Sequence, residues 1–167
     1  MNIRSAQWQD LPAMTALYNH SIVTSPCTFD IEPYSVETRA PWFEKFDGYR
    51  WQCLVAEENG VVLGYGCSGE FKPKAAYRTS VEVSIYVDGT AHRRGIARTL
   101  YSALFNALAG TGVHRAYAGI TLPNEASVAL HREFGFTDVG IYREVGNKFG
   151  RYWDVLWMER EINPALG

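Results

Sequence analysis

A basic turn with one glycine, His92-Arg93-Arg94-Gly95-Ile96-Ala97, has the residue types of an anion-binding site. It follows an alternating apolar run, Val81–Val87, and opens a helix-like run from Ile96 to about Leu108. The first N–H groups of a helix have no partner within the helix, and the helix dipole adds partial positive charge there. The turn therefore favours a phosphate or pyrophosphate, which predicts a phosphorylated cofactor. Each arginine taken alone is equally consistent with solvated surface.

The common nucleotide-binding motifs are absent from the sequence. A P-loop needs G-x-x-x-x-G-K-[ST], which does not occur. A Rossmann fingerprint needs three glycines directly after a first strand, whereas this turn has one glycine and lies in the middle of the chain. These differences argue against a site for ATP or a dinucleotide.

The run that precedes the turn carries the first candidate for acid–base chemistry. The odd-numbered residues of Val81–Val87 are apolar and would share one face of a strand, whereas Glu82, Ser84 and Tyr86 would share the other. A carboxylate inside a strand is uncommon. The residues alone allow two interpretations of Glu82, an exposed residue on a polar face or a catalytic carboxylate.

Composition limits the class of protein. The chain has 167 residues, of which 47% are hydrophobic, so we expect a single domain over residues 1–167. A net charge of -2 provides no general attraction for nucleic acid or an anionic membrane. There is no zinc-binding pattern, and we expect no metal. Without a signal-like N-terminus or a long apolar run, the chain is expected to be cytoplasmic.

Periodicity and turn residues predict a mixed α/β domain. Helices are expected after a capping Asp10, after a capping Ser35, over Ile96–Leu108, and over Asn124–Phe134 with Asn124 as its cap. Strands are expected at Ile3–Ser5, Trp51–Glu57, Val61–Phe71, Val81–Val87, Tyr117–Thr121, Gly140–Val145 and Tyr152–Glu159. A long loop is expected over Ser21–Pro33, and turns at Asn59-Gly60 and over Gly146–Gly150. The order implies at least one parallel strand pair, joined through the helix that begins near Gly95.

Two motifs in this order resemble those of the GNAT superfamily of N-acetyltransferases. His92–Ala97 is similar to its acyl-CoA motif [Q/R]-x-x-G-x-[G/A], with His in the first position. Asn124–Phe136, NEASVALHREFGF, is similar to its second signature. The resemblance implies an α/β GNAT fold, in which a mostly antiparallel sheet flanked by helices has a parallel pair splayed around the CoA site.

A closer resemblance, to the phosphinothricin and methionine sulfone or sulfoximine acetyltransferases, covers nearly the whole chain. Among the segments that carry it are Tyr18-Asn19-His20, Thr28–Pro33, Leu122-Pro123-Asn124 and the turn from Gly146 to Asp154. The resemblance implies an enzyme that transfers acetyl from acetyl-CoA to the α-amino group of a small amino acid analogue. The reaction would be direct attack within a ternary complex, in a homodimer, and would serve detoxification.

The resemblance also implies roles for individual residues. Glu82 occupies the position of the general base, and His131 would donate a proton, orient the substrate or simply pack. A backbone N–H near Val87 would stabilise the oxyanion. Residues expected to bind acetyl-CoA are Ile85, Tyr86, Val87, Arg93, Arg94, Gly95, Ile96, Ala97, Arg98, Asn124 and Ser127. Residues expected to bind the acceptor are Phe29, Lys74, Ala75, Ala76, Tyr77, Arg78 and Glu82.

Two alternative functions remain open from the sequence. One is acetylation of a protein N-terminus or lysine by the same fold, which the basic segment from Lys72 to Arg78 disfavours because peptide grooves are often acidic. The other is a non-catalytic module that binds acyl-CoA. The presence of both Glu82 and His131 disfavours that alternative.

Overall fold

The computed structural model describes residues 1–91 and 93–164. His92, the first residue of the predicted anion-binding turn, lies outside the described residues. Helices α1 to α4 span Leu11–Thr24, Val36–Phe43, Ile96–Leu108 and Glu125–Glu133. Strands β1 to β7 span Asn2–Ser5, Cys53–Glu58, Val61–Glu70, Ser80–Val87, Arg115–Thr121, Thr137–Lys148 and Arg151–Glu161. The predicted mixed α/β class is confirmed.

The strands form one sheet with the order β1-β2-β3-β4-β5-β7-β6. Neighbouring strands are antiparallel except β4 and β5, which are parallel, as the sequence predicts. The ladder between β4 and β5 runs from Ser80–Arg115 to Glu82–Tyr117 and involves no later pair among the described residues. Beyond Glu82 the two strands therefore diverge and open a gap in the middle of the sheet.

Each face of the sheet packs against its own pair of helices. On one face, Leu100, Leu104 and Leu108 of α3 are fully buried in the larger core together with Val81 and Val83 of β4. On the other, α1 and α2 cover a smaller core that contains Tyr65 and Cys67 of β3. The alternation predicted for β4 is confirmed, because its odd-numbered valines face α3 and Tyr86 faces α1.

The N-terminal helical region differs from the prediction in two places. α1 continues to Thr24, so the predicted loop at Ser21–Pro33 begins four residues later. The hydroxyls of Ser21 and Thr24 donate to carbonyls four residues earlier, and Ile22 between them is buried. Asp10 precedes α1 but does not cap it through its side chain, because both carboxylate oxygens accept hydrogen bonds from Arg4. The predicted cap at Ser35 is confirmed by its hydroxyl, which accepts from the Thr38 N–H at 3.1 Å.

The hairpin of β6 and β7 also differs from the prediction. Its turn consists only of Phe149 and Gly150, both with positive φ, whereas Gly146, Asn147 and Lys148 still pair with β7. Positive φ at both positions suits a two-residue turn and lets the strands continue to it. The register shifts between Tyr142 and Gly146, where Asp154 accepts hydrogen bonds from the Glu144 N–H and the Arg143 guanidinium. Such a bulge bends a strand and redirects its end.

Candidate active site

The gap between β4 and β5 exposes backbone groups that a ligand can use. The Asp88 N–H donates to the Leu63 carbonyl on β3. In an antiparallel pair, backbone groups point alternately toward and away from the partner. The N–H and C=O groups of Val87 and Ile85 therefore point away from β3 and into the gap, whereas those of Tyr86 point toward β3. An extended chain with amide groups can pair with this free edge as an added strand.

Glu82 lies where the gap begins. It is directly opposite Gly69 on β3 and Tyr117 on β5, in the last pair before the strands diverge. The carboxyl is half-buried, and burial raises its pKa above the ordinary value. A carboxylate with a raised pKa is a stronger base. The geometry therefore fits the catalytic interpretation of Glu82.

The predicted anion site lies at the N-terminus of α3. Gly95 is the residue before the helix, with a φ of 74° and no side-chain hydrogen bond to the first turn among the described residues. Arg93 also has positive φ, and Arg93 to Gly95 are exposed. The first-turn N–H groups are thus available to an anion.

The side chains of this turn are less available to an anion than its backbone N–H groups. Arg94 pairs with Glu58 at 2.8 Å, and Arg98 pairs with Glu133 on α4 at 2.7 Å. Ile96 is buried and Ala97 is half-buried. If these residues bind a pyrophosphate, Ile96 and Ala97 would do so through their backbone. While they are paired with these glutamates, the two arginines add little net positive charge at the turn.

Asn124 and Ser127, predicted to bind the cofactor, are joined at the start of α4. Oδ1 of Asn124 accepts from the Ser127 N–H at 3.1 Å and caps the helix, as predicted. Asn124 also lines a largely apolar cavity of about 570 Å³ beside α4, together with Leu122 and Val128. The amide group of Asn124 is thus both a cap and part of a surface that a ligand can contact.

His131 is engaged on both sides of its ring. It is only 3% exposed. Its Nδ1 lies 2.7 Å from the Ser127 carbonyl, which can only accept, so Nδ1 carries the hydrogen and Nε2 accepts from the Tyr101 hydroxyl at 2.9 Å. Burial lowers the pKa of the imidazole, which keeps it neutral. This geometry fits the packed alternative for His131 better than a proton donor.

The predicted acceptor segment Lys74–Arg78 lies just before β4. It contains a short 3₁₀ turn, Ala75–Tyr77, and is exposed throughout. The Arg50 guanidinium donates to the Arg78 carbonyl at 3.0 Å and holds the end of the segment. Lys74 and Arg78 thus present cations near the entrance to the half-buried Glu82.

An aromatic wall that the sequence did not predict joins this segment to Glu82. The ring of Phe71 stacks on that of Tyr117 at 4.3 Å and meets Tyr77 and Trp157 edge-on, both at 5.9 Å. Tyr117 is the β5 neighbour of Glu82. The odd-numbered aromatic residues of β5 and β7 are weak signals in the sequence, because their common face becomes known only from the strand pairing.

Phe29, the remaining predicted acceptor residue, lies near the other end of β4. Its neighbours Thr28 and Asp30 both bond to the Tyr18 hydroxyl, and the Tyr18 ring meets Tyr86 edge-on at 5.1 Å. Phe29 is 37% exposed. It therefore lies toward the opposite end of β4 from Lys74–Arg78, and no contact joins it to that segment within the described residues.

Neither a metal site nor a membrane span is found in the described residues. No group of three or more His, Cys, Asp or Glu side chains in residues 1–91 and 93–164 is placed to hold a metal ion. No helix in the same ranges is long and apolar enough to cross a membrane.

Comparison with known proteins identifies the class that this fold and site define. Residues 3–157 match the model of the acetyltransferase (GNAT) domain. The chain belongs to this family and is an acetyltransferase, so the non-catalytic alternative is set aside.

Relatives narrow the resemblance further. A phosphinothricin N-acetyltransferase of Streptomyces coelicolor is 50% identical over 97% of this chain and 96% of its own. An L-methionine sulfoximine/L-methionine sulfone acetyltransferase of Salmonella typhimurium is 34% identical over 98% of this chain and 95% of its own. The resemblance to these enzymes that the sequence motifs indicated is confirmed.

Solved structures agree with the fold. A phosphinothricin acetyltransferase of Sinorhizobium meliloti, solved with acetyl-CoA, has a TM-score of 0.89 and 33% identity over 96% of this chain and 88% of its own. A ribosomal-protein-alanine N-acetyltransferase of Brucella melitensis has a TM-score of 0.92 and 38% identity over 96% of this chain and 99% of its own. The GNAT fold predicted from the motifs is therefore confirmed.

The contact between Tyr101 and His131 gives a first prediction. Tyr101→Phe removes the hydroxyl that donates to Nε2 and leaves a buried acceptor unpaired, so we expect a loss of about 1–3 kcal/mol in the free energy of unfolding. Urea denaturation followed by circular dichroism measures it. Tyr152→Phe is the matched control, because Tyr152 is 60% exposed. Equal stability of wild type and Tyr101→Phe would contradict the assigned hydrogen bond.

Proposed function

We propose that this enzyme transfers the acetyl group of acetyl-CoA to the α-amino group of a small amino acid analogue of the phosphinothricin, methionine sulfone or methionine sulfoximine type. The observation that carries the proposal is the half-buried Glu82 at the start of the gap between β4 and β5. At this place in the sheet, a carboxylate of raised pKa lies beside the free edge of β4. The names of the relatives support the acceptor class.

Residues on three elements would hold acetyl-CoA, which supplies a thioester carbonyl as electrophile and a thiolate as leaving group. Ile85 and Val87 would pair with its amide groups along the free edge of β4. The first turn of α3, from Arg93 to Arg98, would bind its pyrophosphate. Asn124 and Ser127 would contact it at the start of α4. Tyr86 would contribute through packing, because its backbone faces β3.

Glu82 would prepare the acceptor for attack. An α-amino group is mostly protonated at neutral pH, so Glu82 would take one proton and leave a neutral amine. The amine nitrogen would then form the new bond to the carbonyl carbon and give up its second proton. The carbon–sulfur bond would break, and the sulfur would leave with its electron pair and take up a proton, so that CoA is released as the free thiol. The Val87 N–H, which points into the gap, would stabilise the negative charge that develops on the carbonyl oxygen. His131 would position α4 rather than transfer a proton.

The cysteines support direct attack over an acetylated cysteine intermediate. Cys53 and Cys67 are buried. Burial raises the pKa of Cys53 well above its ordinary value and that of Cys67 to about 12. Thiols with such pKa values carry little thiolate and are poor nucleophiles. The exposed Cys27 lies on the segment that carries Phe29.

The acceptor would bind between a cationic and an aromatic surface. Lys74 and Arg78 suit the carboxylate and the phosphinate or sulfone oxygens of such an analogue. The wall formed by Phe71, Tyr77 and Tyr117 suits its short apolar chain. A protein or peptide acceptor is the second candidate, favoured by the similarity to the Brucella enzyme.

An acceptor panel tests the substrate class. We expect thiol release from acetyl-CoA with L-phosphinothricin and L-methionine sulfone, and at least about tenfold lower kcat/KM with short peptides that lack a free carboxylate near the amine. The measurement is initial rate with a thiol reagent. Each amine without enzyme is the control. Turnover of peptides alone would favour the second candidate and contradict the first.

Replacement of Glu82 tests the mechanism. Glu82→Gln keeps the size of the side chain but removes the base, so we expect kcat at neutral pH to fall about 10²–10⁴-fold. Acetyl-CoA affinity, measured by calorimetry, should stay within about twofold, because the donor residues are unchanged. In the wild type, activity should fall as pH drops below the raised pKa of Glu82, since a protonated carboxyl cannot accept a proton. Glu44→Gln, at an exposed position after α2, is the control. Unchanged turnover would remove Glu82 from this role.

We also propose a cytoplasmic homodimer that detoxifies such analogues. The support for a dimer is β6, an edge strand whose Val139, Ile141, Tyr142 and Val145 are exposed. An edge strand with exposed apolar side chains is a surface for self-association. A second copy of the chain would cover it.

A matched pair of lysine substitutions tests the dimer. Val139→Lys places a charge on β6 and should shift the enzyme toward monomer in sedimentation velocity. Val61→Lys, on β3, is the control because the two valines are 56% and 57% exposed. A monomeric wild type, or a Val139→Lys variant as dimeric as the wild type, would contradict the proposal.

A further inference from the structure

The segment of residues 25–30, here called the strap, is held to helix α1 and to the end of β6. At one attachment the Tyr18 hydroxyl bonds to Thr28 at 2.7 Å and to Asp30 at 2.5 Å. At the other the Lys148 ammonium donates to the carbonyls of Ser25 at 3.0 Å and Thr28 at 2.7 Å. Apart from Ser25, whose N–H donates to the Ser21 carbonyl at the end of α1, the strap is not part of a helix or strand. Its position therefore depends on these two attachments.

The two attachments lie on opposite sides of the gap. The Tyr18 ring contacts Tyr86 on β4. Lys148 is at the end of β6, which joins the sheet through β7 and β5. Both attachments meet at Thr28, whose hydroxyl bonds to Tyr18 and whose carbonyl accepts from Lys148. The strap thus joins α1, which packs on β4, to the end of β6 on the other side of the gap.

Lys148 is buried to an unusual degree for a lysine beside a hairpin turn. It is 5% exposed, and burial lowers the pKa of its ammonium group. Burying a cation is costly unless its hydrogen-bond donors are satisfied. Two of its three donors bond to strap carbonyls, and the Phe149 ring lies 5.1 Å from the ammonium. A solvent-exposed lysine would be neither buried nor bonded to strap carbonyls, so the contact between Lys148 and the strap is specific.

The neighbouring Gly146 leaves room for the ring of Phe29. A Cβ built at Gly146 would overlap the ring of Phe29. The ring therefore lies directly on the backbone of β6, two residues before Lys148. The bulge held by Asp154 directs this end of β6 toward the strap. Glycine and lysine at these positions together fix the side chain of Phe29 against the end of β6.

We propose that Lys148 is a positioning residue that holds the strap across the gap and so fixes Phe29 as one wall of the acceptor pocket. Gly146 serves the same purpose by leaving room for the ring. This inference rests on the proposed function, because it assigns Phe29 to acceptor binding. It makes the end of the β6–β7 hairpin, remote in sequence from every predicted acceptor residue, a determinant of acceptor affinity.

Replacement of Lys148 gives the first test. Lys148→Met keeps much of the length of the side chain but removes the donors. We expect the KM for the acceptor to rise about tenfold, while kcat and the KM for acetyl-CoA change by less than about threefold. Lys45→Met, an exposed lysine after α2, is the matched control. An unchanged acceptor KM, or equal rises in both KM values, would overturn the proposal.

Hydrogen exchange separates this inference from the proposed function. In Lys148→Met, backbone amides of the strap should exchange at least about tenfold faster, with those of α3 unchanged. Gly146→Ala, which displaces Phe29 but keeps Lys148, should raise the acceptor KM in the same direction. If the wild type acetylates no amino acid analogue, the proposed function fails and exchange alone decides whether Lys148 holds the strap. If the strap amides of a folded Lys148→Met variant exchange as slowly as those of the wild type, Lys148 does not hold the strap, whether or not the proposed function is correct.

Discussion

The interruption of one parallel ladder is the constraint on which the site depends. β4 and β5 pair for only a few residues, up to Glu82 and Tyr117. Backbone N–H and C=O groups are strong polar groups that need partners. The divergence therefore leaves a free strand edge at Ile85 and Val87 and a half-buried carboxylate at the start of the gap. The positions of α3 and the strap have functional meaning only relative to this gap.

Charges on the acceptor side are stabilised by different means according to their depth. Burial raises the pKa of Glu82, which suits it to take a proton. Lys148 is buried but bonded to carbonyls. Arg39 is 5% exposed and stacks between Tyr18 and Trp42 at 3.8 and 4.1 Å, with a hydrogen bond to the Tyr65 hydroxyl. Cation–π contacts of this kind fix α1 and α2 against β3. The rigid layer that results carries the Tyr18 attachment of the strap.

The sequence predicted those features that depend on local pattern. The amphipathic α3, the caps at Ser35 and Asn124, the Asn59-Gly60 hairpin and the alternating β4 all follow from short-range periodicity and turn chemistry. The parallel pair followed from the order of the elements, and the family followed from two motifs. Helix α1 was predicted too short because hydroxyl residues at its end, which favour loops in isolation, bond back to the helix.

Features that depend on distant pairing could not be predicted in this way. The aromatic wall arises only when β5 lies beside β7, and Lys148 meets residues more than a hundred positions earlier. In the sequence, Lys148 lies two residues before the turn residue Gly150 and looks like an exposed turn lysine. Only the bulge of β6 shows that it is directed toward the strap. For His131 the sequence left three roles open, and the Tyr101 hydroxyl, thirty positions away, supplied the geometry that favours packing.

The central claim is that the gap exposes the backbone of Ile85 and Val87 for the donor. Residue-resolved amide hydrogen exchange, with and without CoA, tests it most directly. In the free enzyme the amides of Ile85 and Val87 should exchange faster than that of Tyr86, which bonds to β3, and CoA should slow the first two alone. Equal protection of all three amides in the free enzyme, or no slowing of Ile85 and Val87 by CoA, would contradict the account.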